Sequence, residues 1–121
     1  MVGDNMVTRF DPVEFIAGDG ELDDNYALYL DKLSTLLKER PKLEMNICGI
    51  PSELDRQALS SQQQDKSVEI TNDHLIQLAE QRGQVVKSYL IEAGIDAGRL
   101  YTCHPEMTEA EMQSPIVELH L

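Results

Sequence analysis

The chain has no tryptophan, and aromatic residues make up only 5% of it, so its core must be built from aliphatic side chains. With 41% hydrophobic residues over 121 positions, there are enough of these for one domain with one core. Cysteine is scarce as well. Cys48 and Cys103 are too few for a disulfide scaffold or a cysteine-based zinc site. Both fall in segments that read as strands, which leaves either two buried thiols or one disulfide in an oxidising compartment. No apolar run approaches the roughly 18 residues needed to span a bilayer. The N-terminus lacks the basic-then-apolar pattern of a signal peptide. The expectation is therefore a cytosolic protein or a domain cut from a longer chain. Positive charge is also in deficit: 10 basic against 22 acidic residues give a net charge of -12. That field repels nucleic acid, whose binding relies on neutralising phosphates. It disfavours anionic lipid surfaces for the same reason, so membrane contact is expected only through further segments of a parent chain. The charge itself reads as a device for solubility.

Residues 1–9 are expected to be a flexible lead and residues 10–121 the domain. Phe10 to Ala17 reads as a strand, with Val13 and Phe15 alternating with Glu14, and Gly18 and Gly20 break it. Asp23 and Asp24 supply a helix N-cap and negative charge at the positive end of the dipole. Tyr26, Leu30, Leu33 and Leu37 form one helical stripe, and Pro41 stops that helix. Leu43, Met45 and Ile47 mark a second strand, ending at Gly49. Ser52 to Asp55 has the form of a capping box, which assigns the Asp55 carboxylate a capping role and predicts a short helix over 52–60. Residues 60–67 are polar and low in complexity, and read as a mobile loop. Thr71 or Asn72 caps the longest helix, whose stripe is Leu75, Leu78, Val85, Val86, Tyr89, Leu90 and Ala93, with Gly94 beyond its end. Leu100 to Cys103 and Ile116 to Leu121 are further strands, joined by an acidic connection over 105–114. The order β-α-β-(short α)-α-β-β predicts an α/β sandwich with a mixed sheet and helices on one face, its last two strands paired antiparallel.

One residue stands out of pattern. Arg82 lies four positions after Leu78 and four before Val86, on the apolar side of the long helix. A charge there must reach the edge or find an acceptor. Two readings stand: a structural pairing with a carboxylate or with carbonyl groups, or a guanidinium fork offered to a ligand carboxylate. Gly83 follows, at a cost of about 1 kcal/mol relative to Ala, and suggests close backbone approach by another element.

Other constellations read as ordinary. His74, His104 and His120 are far apart, and Cys103, His104 and Glu106 have no second spaced pair, so no metal is expected. Asp19, Glu21, Asp23 and Asp24 lack the calcium-loop spacing and read as a solvated turn and cap. Neither cysteine has a helix N-terminus or basic cluster to activate it. No acid–base pair, nucleophile triad or phosphate loop is visible, so neither an enzyme nor a cofactor is expected. Glu106, Glu109 and Glu111 read as exposed, and Met107 and Met112 as adaptable contacts to a partner or cover for the core.

The stretch Leu78-Ala79-Glu80-Gln81-Arg82-Gly83, then Val86, Tyr89-Leu90, Gly94-Ile95 and Arg99-Leu100, resembles the long helix and following strand of OmpA-like domains. That family shows an L-S-x-x-R-A pattern, a Val, a YL-type pair, then G-I and a basic residue before an apolar one. Its members bind the peptide stem of peptidoglycan, an Asp and an Arg clamping diaminopimelate. Arg82 falls on the Arg position. The Asp is expected three residues after the glycine that ends the second strand, where this chain has Ser52, with Glu53 and Asp55 nearby. A family Asn in the long helix is replaced by Leu75. Phe15 to Asn25, Leu36 to Gly49, Asp55-Arg56 and Arg99 to Glu106 are more closely similar to the C-terminal domain of large AsmA-like envelope proteins of unknown function. That likeness implies a periplasmic domain of a larger membrane-anchored chain. The resemblance together with its departures implies an accessory docking domain, partnered by another envelope protein or the rest of its parent chain, without standard peptidoglycan binding. The alternative is a stem-peptide anchor in which Arg82 takes the carboxylate and Glu53 or Asp55 replaces the missing Asp.

Overall fold

The computed structural model describes residues 9–62, 69–105 and 115–120. The elements run β1 (Arg9–Glu14), α1 (Asp24–Glu39), β2 (Met45–Gly49), α2 (Glu53–Gln62), α3 (Asn72–Glu92), a 3-10 turn (Ala97–Arg99), β3 (Leu100–Thr102) and β4 (Ile116–His120). The strand order is β1-β4-β2-β3. β2 and β3 are parallel, as strands joined through a helix tend to be. The expected pairing of the last two strands does not occur. β4 inserts between β1 and β2 and runs antiparallel to both. Sequence order says nothing about this insertion. The centre of the sheet buries more apolar surface than its edge, and Val117 and Leu119 are fully buried there.

The strands alternate as a one-sided sheet requires. Val13, Met45, Ile47, Val117 and Leu119 join Leu30, Leu33 and Leu37 of α1 and Val86 and Leu90 of α3 in one core. Asn46, Cys48, Glu118 and His120 on the other face are not buried, so the helices cover a single face. The side chain of Asp23 accepts from the Asn25 N–H and starts α1. Arg99 reaches back to the far end of that helix, its Nη2 donating to the carbonyls of Leu37 and Arg40 and its Nε to Leu43. Thr71 caps α3, and His74 completes a capping box there in place of the usual Glu or Gln. Gly94 leaves α3 with φ of 110°. Residues 60–62 belong to the last turn of α2 rather than to a loop; the remainder of the polar stretch and the acidic connection from Glu106 to Ser114 lie outside the described residues.

The stripe on α3 is narrower than the sequence pattern suggests. Leu75, Ala79, Arg82, Gly83, Val86 and Leu90 are its buried face, while Leu78, Val85, Tyr89 and Ala93 are half-buried. The close approach expected at Gly83 falls one turn earlier and on the other partner. A Cβ on Gly49 would sit 2.1 Å from the Ala79 carbonyl oxygen, whereas one on Gly83 would meet β2 at 3.9 Å, ordinary contact. Gly49 therefore lets α3 lie against β2, and this fixes where Arg82 points.

Candidate functional site

Seated on β2 in this way, α3 directs Arg82 toward α2, where Asp55 projects from the first turn. Both residues are fully buried. The pair is bidentate, Nη1 to Oδ2 at 2.7 Å and Nη2 to Oδ1 at 2.8 Å, the fork geometry that makes such bonds strong. The segment between β1 and α1 closes over it. Arg82 Nε donates to the Asp19 carbonyl at 2.8 Å and Nη2 to the Ile16 carbonyl at 3.2 Å. The Gly18 N–H donates to Asp55 Oδ1 at 2.7 Å. Gly18 has φ of 80°, a conformation side chains resist, and a Cβ there would also press on Ala58 at 3.0 Å. The Phe15 ring faces the guanidinium carbon at 5.2 Å, within cation–π range. Every guanidinium nitrogen thus has a partner supplied by the chain itself, and among the described residues no buried side-chain nitrogen or oxygen lacks one.

The Asp55 carboxylate goes to Arg82 rather than to the cap of α2, contrary to the capping-box expectation. At that helix end the Ser52 hydroxyl accepts from the Leu54 N–H at 3.1 Å, and Asp55 donates its own N–H to the Ser52 carbonyl. A fully buried cation left without a counter-charge costs far more than one helix N–H without a side-chain cap. Ser52 itself is buried. Glu53 holds Arg56, with Nε to Oε2 at 2.6 Å. That contact raises the Arg56 pKa, chiefly through the Glu53 hydrogen bond. Arg56 also donates to the Ile70 carbonyl and the Asn72 side chain, tying α2 to the start of α3. Leu75 is fully buried. Of the candidates, then, Arg82 and Asp55 meet, while Ser52 and Glu53 serve α2 and its neighbours.

The backbone groups of Ile16, Gly18 and Asp19 are the partners that sequence reading missed. Main-chain donors and acceptors carry no side-chain signature. The only trace is the glycine spacing of Ala17-Gly18-Asp19-Gly20. The two cysteines form one disulfide, Cys48–Cys103, with Cα atoms 4.8 Å apart across the β2–β3 pair. Among the described residues, no group of three or more His, Cys, Asp or Glu is placed to hold a metal ion. Among the same residues, no helix is long and apolar enough to cross a membrane.

This topology, a four-stranded mixed sheet covered on one face by its helices, is the OmpA-like fold. The peptidoglycan-associated lipoprotein of Burkholderia pseudomallei superposes with a TM-score of 0.69 at 18% identity, over 92% of this chain and 89% of that one. The OmpA-like domain of FopA1 from Francisella tularensis gives 0.67 at 17% identity, over 91% and 69%. The C-terminal domain of Helicobacter pylori MotB gives 0.64 at 19%, over 91% and 82%. Neither a protein-family model nor a curated protein matches the chain by sequence.

Proposed function

We propose that this chain is a non-catalytic accessory docking domain of a larger envelope protein, exposed to the periplasm and without the standard peptidoglycan contact. The observation that carries this reading is the complete internal satisfaction of Arg82. A ligand carboxylate can reach its guanidinium only by displacing the part-buried Ile16 and Asp19 carbonyls or Asp55, whose fully buried carboxylate would then keep only the Gly18 N–H and lose its cation. Among the described residues from Ser52 to Asp55, no free carboxylate stands in for the missing Asp. Ser52 carries a hydroxyl, Asp55 is engaged, and Glu53 holds Arg56. The Cys48–Cys103 disulfide favours an oxidising compartment and leaves neither cysteine as a thiol nucleophile. The AsmA-like phrases in the sequence support a parent chain anchored elsewhere, whose remaining segments or a second envelope protein would be the partner.

A stem-peptide anchor is the second reading, favoured by the likeness to a lipoprotein named for its association with peptidoglycan. The two readings part in an NMR titration with a diaminopimelate-containing stem peptide. The docking reading expects no shifts at residues 49–55 or at Arg82 up to millimolar peptide. Saturable shifts confined to those residues would overturn it.

A further inference from the structure

One surface of the domain has the shape and chemistry of a docking groove. Two hollows, of about 300 and 330 Å³, share Glu14 and Tyr26 and so run together along the side of β1 and the first turns of α1. Phe15, Leu22 and Tyr26 contribute apolar surface at one end, and Pro12 and Tyr29 at the other. Ile16 stands at the rim with 70% of its surface exposed, the most exposed of the large hydrophobic residues among those described. Carboxylates from Asp11, Glu14, Asp19, Glu21 and Asp23 border this floor, and among the described residues no Lys or Arg lines either hollow. The charge of Arg82 beneath is neutralised by Asp55. The negative field is felt locally: burial first, then Glu14, raises the Tyr26 pKa, and burial first, then Asp11, raises that of Tyr29.

We infer that this groove docks an extended polypeptide segment carrying alternating basic and apolar side chains, supplied by a partner protein. The inference rests on reading the domain as a docking module, and names the surface and the chemistry of what it takes. Complementary charge brings the segment in and sets its register, while Ile16 and the tyrosines provide the desolvated contact that holds it. Tyrosine faces also accept Lys and Arg by cation–π attraction. Pairing as an added β-strand is hindered, because Pro12 has no N–H and the Asp11 carbonyl already accepts from the Tyr29 hydroxyl at 2.8 Å. Side chains rather than a backbone ladder therefore make the contact. A second copy of this chain is a poor occupant, since each copy carries a net charge of -12.

The test uses the whole chain and a fluorescein-labelled peptide of alternating Lys and Val, read by anisotropy at two salt concentrations, with an alternating Glu and Val peptide as control. The Lys peptide is expected to bind at micromolar concentrations and the Glu peptide not at all. Ile16→Ser, at an exposed position, should weaken binding about tenfold. Asp11→Asn with Glu14→Gln and Glu21→Gln should weaken it at least as much and flatten the salt dependence. Equivalent neutralisation of Glu39, Glu44 and Glu80, away from the groove, should change it less than twofold. Absence of binding at millimolar peptide, or equal losses from the two sets of neutralised carboxylates, overturns the proposal. Such a failure is separate from that of the docking reading, which falls only if the stem peptide binds at Arg82.

Discussion

Breaking the Arg82–Asp55 pair from one side is the sharpest perturbation of this fold. Arg82→Met keeps much of the side-chain volume but leaves the Asp55 carboxylate fully buried without its cation, still accepting from the Gly18 N–H. It also takes the guanidinium donors from the Asp19 carbonyl and from the Ile16 carbonyl, which keeps the Asp19 N–H. Removing one partner of a buried pair costs about 3–5 kcal/mol, because the other charge stays behind uncompensated. At about 2.1 cal/mol/K per residue, a chain of 121 residues unfolds with roughly 250 cal/mol/K of entropy, so each kcal/mol moves Tm by about 4 °C. The expected fall is about 12–20 °C, accompanied by a lower urea midpoint at unchanged slope. Asp55→Leu alone should cost a similar amount. The double variant Arg82→Met/Asp55→Leu removes both charges and should sit only about 1–2 kcal/mol below the parent, far from the sum of the two single losses. Circular dichroism melts and urea titrations of the four proteins close the cycle. A loss below about 1 kcal/mol for Arg82→Met, or additive losses in the double variant, would refute the view that this arginine is a structural cation rather than a ligand-facing one.

Other consequences can be measured on the same samples. Gly49→Ala pushes a methyl group to 2.1 Å from the Ala79 carbonyl, with backbone on both sides, and should cost at least about 3 kcal/mol in a denaturant melt. Gly83→Ala meets only ordinary contacts and should leave stability unchanged or raise it by up to about 1 kcal/mol. Replacing Cys48 and Cys103 together by Ala opens a loop of 55 residues, for which chain entropy gives about 4 kcal/mol; the expected loss of 2–4 kcal/mol should match the effect of a thiol reductant on the parent. All four tyrosines, Tyr26, Tyr29, Tyr89 and Tyr101, have raised pKa values, the first two mainly through burial and the others mainly through hydrogen bonds to Asp31 and Glu44. A phenol with a higher pKa folded than unfolded contributes stability that is fully present below its unfolded pKa, near 10. That contribution is lost as pH rises through the folded value. Phenolate absorbance should therefore titrate above pH 10 in the folded chain and at lower pH in denaturant, with stability falling over the same alkaline range.

Local sequence determined a good part of this molecule, because local rules decide where elements start, stop and turn their apolar side. Asp23 starts α1 and Thr71 starts α3, and the alternation through Val13, Met45, Ile47, Val117 and Leu119 marks the buried sheet face. A charge on the apolar side of α3 was visible too, since a period of 3.6 residues places Arg82 between Leu78 and Val86. The tertiary structure alone decided the remainder. It inserted β4 between β1 and β2, a choice made by the total apolar area covered rather than by any neighbour in the chain. It moved the demand for a glycine from Gly83 to Gly49, because a helix meets a strand along a line that neither segment specifies alone. It also took Asp55 from a cap and gave it to Arg82. The partners that finish the pair are the backbone of Ile16, Gly18 and Asp19, as far as 66 residues away in sequence, and a main-chain carbonyl looks alike in every residue until the fold brings it to its donor.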